Sequence, residues 1–86
     1  MKLHELKCWP EPFEAVRNGI KPFELRRDDG RGFERGDRLL IKEWDAFRHI
    51  FTGRKIGAEI GYVCRVTDWA PDAPADLVVL GLINLC

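Results

Sequence analysis

Apolar and polar residues alternate most regularly between residues 55 and 69. Such alternation predicts a β-strand, because successive side chains of a strand point to opposite faces. Two glycines in this stretch, Gly57 and Gly61, predict bends of the kind that close small barrels. The positions that share one face are Ile56, Ala58, Ile60, Tyr62, Cys64 and Val66.

The rest of the chain predicts four more strands and one helix. We expect the helix over residues 10–18, since proline is tolerated in a first turn and Asn18-Gly19 is a typical helix stop. The final strand is apolar enough to be central. The four strands are expected over residues 3–8, 23–27, 38–44 and 76–85, of which 76–85 is the final strand. Loops are expected over residues 28–35, 45–54 and 70–75.

These elements predict a mainly β (α+β) fold, namely a small and mostly antiparallel β-barrel of about five strands with one or two short helices. We expect a single domain over residues 1–86. Closing the sheet would remove exposed strand edges. So small a core needs large side chains, so Trp9 and Trp44 are expected mainly in the core, with base stacking as the alternative.

The net charge of zero conceals an uneven distribution. Residues 17–55 carry eleven Lys and Arg against seven Asp and Glu, or +4, and residues 56–86 carry one against four, or −3. A basic middle favours an anionic ligand there, although a solvated surface of mixed charge explains the same pattern. Strong non-specific binding of duplexes would normally need a more basic chain.

The three cysteines, Cys8, Cys64 and Cys86, are far apart and form no C-x-x-C pair. Together with His4 and His49 they show no zinc-like spacing, so we expect no metal and no cofactor. Reduced thiols fit a cytoplasmic protein best, with Cys64 in a core strand.

The chain begins without a basic and then apolar signal segment. Its longest apolar run, Leu77 to Ile83, is far too short to span a bilayer, so no membrane association is expected. The oligomeric state stays open, and a monomer is compatible with the sequence.

The octapeptide from Gly19 to Arg26 reads G-x-K-x-x-E-x-R and is the strongest candidate for a site. A glycine turn places Lys21 at the start of a strand, and Glu24 and Arg26 then share one face of it. Two cations beside a carboxylate could hold a phosphate or a base edge, or do acid–base chemistry. The alternatives are a solvated turn lysine and a structural ion pair between Glu24 and Arg26.

Other candidates flank this motif in the predicted fold. His4 and Lys7 lie on the first strand, where alternation puts them on opposite faces. Glu43 ends the third strand and could serve as a second carboxylate. A loop that contains Gly30 and Gly32 could wrap a nucleic-acid backbone, although nearby acids compensate much of its charge; its cations are Arg27, Arg31, Arg35 and Arg38.

Motifs along nearly the whole chain resemble the ASCH domain of the PUA-like superfamily, and still more closely the short bacterial and phage family called domain of unknown function 3850. They are His4-Glu5-Leu6-Lys7, Pro12-Phe13-x-Ala15-Val16, the octapeptide, Asp29, Arg31-x-Phe33, Gly36-Asp37, Glu43-Trp44-Asp45, Thr52-Gly53-Arg54 and Val79-Leu80-Gly81. The resemblance implies a PUA-like barrel with a cleft beside the first helix, where ASCH-like domains are thought to bind RNA or nucleotides. Some bacterial relatives are amidohydrolases that act on N4-acetylcytidine.

Three functions follow as expectations. The first is a module that binds RNA or a nucleotide through Lys21, Glu24 and Arg26, with His4, Lys7, Trp9 and Arg27 nearby. The second is a small amidohydrolase for a modified nucleoside, with Lys21 and either Glu24 or Glu43 as working groups. The third is a protein-interaction module. Glu24 stands where the enzymatic relatives carry a threonine, which favours binding over hydrolysis.

Overall fold

The computed structural model describes residues 1–86, which form five β-strands, one α-helix and one 3₁₀ turn. The helix and the first three strands lie where the sequence predicts them. In chain order the elements are β1 (Leu3–Cys8), α1 (Pro10–Arg17), β2 (Phe23–Arg27), β3 (Arg38–Asp45), β4 (Ile50–Arg65), the 3₁₀ turn (Val66–Asp68) and β5 (Leu77–Ile83).

The five strands form one sheet in the order β1-β3-β4-β5-β2, which curls into a half-barrel. Only β1 and β3 are parallel, and the other three pairs are antiparallel. This confirms the prediction of a mainly β, mostly antiparallel fold of about five strands. Closure of the sheet was predicted wrongly, because β1 and β2 are its two edges and do not pair.

The open side of the half-barrel lies between β1 and β2, and α1 connects these two strands along the chain. Arginine side chains cover the free edge of β1. Arg26 donates from Nη2 to the carbonyl of Lys7 at 2.6 Å, and Arg31 donates from Nη1 to the carbonyl of Glu5 at 3.0 Å. Side-chain donors thus satisfy carbonyls that a neighbouring strand would otherwise pair.

The core lies on the concave side of the sheet. Alternate residues of β1, β3, β4 and β5 point into it, and Phe13 and Val16 of α1 are fully buried there. Its buried apolar members are Leu6, Cys8, Phe13, Val16, Phe33, Leu39, Ile41, Ile56, Ala58, Ile60, Val78, Leu80 and Leu82.

Strand β4 is longer at its start and shorter at its end than the alternation predicts. It runs from Ile50 to Arg65, so the predicted loop over residues 45–54 is reduced to a short hairpin turn before Ile50. Thr52-Gly53 lies inside the strand at a bulge, where the pairing with β3 shifts register between Lys42 and Trp44. All six residues from Ile50 to Lys55 are exposed, so no alternation of apolar and polar residues marks the strand there, and the sequence reads as a loop.

The bend predicted at Gly61 is confirmed, since the pairing of β4 with β5 shifts register between Ile60 and Tyr62. A Cβ atom on Gly61 would lie 2.9 Å from Ile83 Cγ2, so only glycine fits there without a shift of the neighbour. Cys64 lies in β4, the central strand of the sheet, as predicted, but the inward face changes beyond the bulge, so that Tyr62 is exposed and Cys64 only half-buried.

The tryptophans also lie outside the core. Trp9 and Trp69 are exposed and Trp44 is half-buried, so the expectation of core tryptophans is wrong. Aliphatic side chains and two phenylalanines fill the half-barrel instead. No helix combines the length and the apolar character that crossing a membrane requires.

Candidate functional site

The turn after α1 places the G-x-K-x-x-E-x-R motif at the open side of the half-barrel. Gly19 has a φ of +75°, which glycine adopts without steric cost. The amides of Ile20 and Lys21 both donate to the carbonyl of Ala15, at 2.9 and 3.0 Å. These two hydrogen bonds to the end of α1 reverse the direction of the chain and bring Lys21 to the start of β2.

Glu24 is a buried carboxylate held between two cations. Its Oε1 accepts from Lys21 Nζ at 3.3 Å, and its Oε2 accepts from Arg26 Nε at 3.1 Å. Glu24 is only 2% exposed, whereas the side chains of Lys21 and Arg26 are 24% and 26% exposed. We call these three residues the β2 cluster. Its formal charge is +1, and unused donors of both cations are in reach of solvent.

Cys8 is a buried thiol in the electrostatic field of the β2 cluster. Burial raises the pKa of Cys8, and the negative charge of Glu24 raises it further, while Lys21 and Arg26 act in the opposite direction. The thiol is therefore neutral at physiological pH, which argues against Cys8 as a nucleophile. The sequence prediction missed this residue, because only the curled sheet brings β1 next to β2.

Glu43 is the second buried carboxylate of the concave side, and it is the register neighbour of Cys8 on β3. Its Oε1 accepts from Thr52 Oγ1 at 2.6 Å, and its Oε2 lies 3.7 Å from Arg54 Nη1. Arg54 also pairs with Glu14 of α1, and that hydrogen bond lowers the pKa of Glu14. Glu43 is therefore held in its own network and makes no hydrogen bond to the β2 cluster.

His4 lies near the other end of β1, four residues or about 13 Å from Cys8 along the strand. Its Nε2 donates to Asp37 Oδ2 at 2.8 Å, and its ring lies 4.6 Å from that of Phe33. Burial disfavours ionised Asp37, but hydrogen bonds from His4 and from the amides of Lys2 and Glu34 outweigh it and lower the pKa of Asp37 to about 2. His4 thus joins a buried structural pair.

The remaining predicted residues lie outside the β2 cluster. The Lys7 side chain is on the convex face, 4.1 Å from the centre of the Trp44 ring, and only its carbonyl contacts Arg26. Trp9 is exposed and precedes α1, where its carbonyl accepts from the amide of Phe13. Arg27 is also on the convex face and pairs with Asp76 at 2.7 Å.

The structure contains a surface pocket of about 440 Å³ beside α1, where the family resemblance implies a cleft, but none of the predicted site residues lines it. None of the three residues of the β2 cluster lines it. Its lining comes from three segments that are remote in sequence, so no local motif could have signalled it. The lining residues are Phe13, Arg17, Arg54, Lys55, Ile56, Leu85 and Cys86. No group of three or more His, Cys, Asp and Glu residues is arranged to hold a metal ion.

A curled five-stranded sheet with a buried, doubly paired carboxylate at its open side defines a small mainly β protein with a polar candidate site. The chain belongs to the family described as Domain of unknown function (DUF3850), whose profile matches residues 3–82. It is also similar to a protein of Escherichia phage P2 described as "Uncharacterized 12.9 kDa protein in GpA 3'region". The two are 42% identical over 71 residues, which cover 83% of this chain and 62% of the phage protein.

Proposed function

We propose that the protein is a binding module for RNA or a nucleotide and that the β2 cluster contacts the ligand. The main observation in support of this proposal is the position of Glu24, which is buried between Lys21 and Arg26 at the open side of the half-barrel. This arrangement supplies what polar recognition of a nucleotide needs. A fixed guanidinium and an ammonium can donate to a phosphate or a base carbonyl, while the buried Glu24 carboxylate holds both cations in place.

The burial of Glu24 supports a pre-organised site. Its two oxygens are each held by a different cation, so the orientation of Lys21 and Arg26 is set before any ligand arrives. Pre-organisation reduces the side-chain entropy that is lost on binding. The resemblance of the motif to ASCH-like domains of the PUA-like superfamily points to the same class of ligand.

Hydrolysis of a modified nucleoside such as N4-acetylcytidine is the less supported alternative. Both oxygens of Glu24 already accept hydrogen bonds from cations, which leaves the carboxylate poorly placed to activate water. Glu43 is likewise paired with Thr52 and Arg54. A protein-interaction module is the third possibility.

The test is to record amide NMR shifts of the protein with single-stranded RNA oligomers, nucleoside monophosphates and N4-acetylcytidine, and to assay acetate in the same tube. We expect shifts centred on Lys21, Glu24 and Arg26, and loss of binding in Lys21→Gln. Arg27→Gln is the matched control, because Arg27 is a neighbouring cation on the opposite face of β2.

Each other outcome has a separate meaning. Shifts centred on Arg17 and Leu85 would keep the ligand class but move the site to the pocket beside α1. Acetate release would show that the protein is a hydrolase rather than a binding module. An absence of shifts with every ligand would remove the proposal and favour a protein partner.

A further inference from the structure

Three lysines form one row across the convex face of the sheet. Lys7 of β1 is in register with Lys42 of β3, and Lys42 is in register with Lys55 of β4. At the usual spacing of strands the row spans about 10 Å. Like charges in directly opposite positions destabilise a sheet. Only Glu5 compensates them, 3.3 Å from Lys42 Nζ, so the row together with Glu5 has a net charge of +2.

An aromatic pair lies beside this row at the next outward positions of β3 and β4. Trp44 and Phe51 are in register, and their ring centroids are 4.9 Å apart. Lys7 Nζ is 4.1 Å from the centre of the Trp44 ring, and Lys42 Nζ is 4.3 Å from that of Phe51. Phe51 is 44% exposed. We call Lys7, Lys42, Lys55, Trp44 and Phe51 the convex surface.

We propose that the convex surface binds single-stranded nucleic acid. Phosphates would draw Lys7 and Lys42 away from the faces of the two aromatic rings, and bases of any sequence would then stack on those faces. Because Lys7 lies against Trp44 and Lys42 against Phe51, each stacked base would have a lysine beside it for the neighbouring phosphate. A duplex is a poorer ligand, because its bases are already stacked inside. A protein partner is disfavoured, since lysine is depleted in the cores of protein interfaces.

This surface is separate from the β2 cluster. On β1 the side chain of Lys7 points outward, whereas Cys8, which senses the charge of Glu24, points inward. The sheet therefore stands between the two sites. Substitutions on the convex face can be made without touching Lys21, Glu24 or Arg26, so the failure of one proposal can be told apart from the failure of the other.

The test is fluorescence anisotropy of labelled oligo(U), oligo(dT) and a short duplex over a series of salt concentrations. We expect Lys42→Gln combined with Lys55→Gln to weaken single-strand binding and to reduce the slope of log K against log salt by roughly 1.4, or about 0.7 for each phosphate contact. The matched control combines Arg35→Gln with Arg65→Gln, which removes two exposed cations from elsewhere without breaking an ion pair.

The aromatic contribution is tested on the same strand. Phe51→Leu should weaken binding roughly tenfold through lost stacking. Tyr62→Leu, which removes an exposed ring from the other half of β4, should leave binding unchanged. Thermal unfolding of each variant checks that the fold is intact. Tighter binding of oligo(U) than of oligo(dT) would identify RNA as the ligand, and equal binding would extend the proposal to both.

Four results would overturn the inference. One is no binding of either single strand at low salt. Another is equal weakening by the lysine and arginine pairs, which would mean general charge attraction. The third is loss of binding in Lys21→Gln but not in the variants of the convex surface, which would assign the nucleic acid to the β2 cluster. A change of oligomeric state in the lysine variant without nucleic acid would also count against it, as a sign of a protein interface.

Discussion

At the scale of single residues, the concave side is defined by polar side chains that are buried and fully paired. His4, Glu24, Asp37 and Glu43 are each less than a tenth exposed, and no buried side-chain nitrogen or oxygen lacks a hydrogen-bond partner. Burying a charge is costly unless it is paired, so these contacts offset the free-energy cost of placing polar groups in so small a core. Removing one partner leaves the other uncompensated.

The pair of His4 and Asp37 predicts how stability depends on pH. The folded-state pKa of Asp37, about 2, lies below its ordinary value of 3.8, so its ionised form stabilises the fold above about pH 4. That contribution is lost as the pH falls from about 4 towards 2. Asp37→Asn should therefore lower the free energy of unfolding by roughly 3 kcal/mol at pH 7, and its deficit against the wild type should shrink in that acid range.

Urea unfolding between pH 7 and pH 2 measures this difference. Asp72→Asn is the control, because Asp72 is exposed and makes no ion pair. A deficit for Asp37→Asn that stays constant down to pH 2 would show that the Asp37 carboxylate does not titrate as the geometry implies.

At the scale of elements, two bulges shape β4 and set which residues face the core. The first lies opposite Glu43 and aims Thr52 and Arg54 at its carboxylate. The second, at Gly61, turns Tyr62 outward. Bulges add twist and re-aim side chains, which explains why the set of β4 residues that faces the core changes at Gly61.

The first bulge depends on the backbone freedom of Gly53. Its φ is +93°, and a Cβ atom there would meet nothing within 4 Å. Gly53→Ala should therefore cost only backbone strain, about 1–2 kcal/mol in the free energy of unfolding. Gly53→Asn should cost less, because asparagine tolerates positive φ better. Chemical denaturation measures both, and a neutral alanine variant would mean that this backbone conformation is not required.

At the scale of the whole molecule, the half-barrel stays open and arginines protect its free edge. Arg26 and Arg31 each donate to a carbonyl of β1 that faces away from β3. An unprotected edge strand invites pairing with another chain, so these side chains serve stability and solubility together. Arg26 links this function to the β2 cluster, since it also holds Glu24.

Loss of one edge contact should loosen β1. Arg31→Ala removes a hydrogen bond of about 1 kcal/mol, which should speed hydrogen exchange of the amides of β1 about fivefold. Arg35→Ala is the control, because Arg35 is an exposed arginine in the same loop without a hydrogen bond or ion pair. Hydrogen exchange measured by NMR tests this prediction. Equal exchange rates in both variants would mean that Arg31 does not stabilise the free edge of β1.

Local patterns in the sequence determined most of the elements and the core of the candidate site. Periodicity and turn residues predict β1, α1, β2 and β3 almost to the residue, because these signals arise from neighbours along the chain. The spacing of Lys21, Glu24 and Arg26 likewise places them together, since they are close in sequence and share one face of a strand.

Only the tertiary structure decided what depends on pairing between distant segments. The bulges, the open side between β1 and β2 and the outward position of the tryptophans follow from strand register and curvature, which short-range patterns do not encode. The same holds for the pairing of His4 with Asp37, 33 residues apart, and for the lysine row of the convex surface. The sequence by itself determined which side chains each element offers; the curl of the sheet decided which of them meet, because contacts across strands depend on the packing of the whole chain.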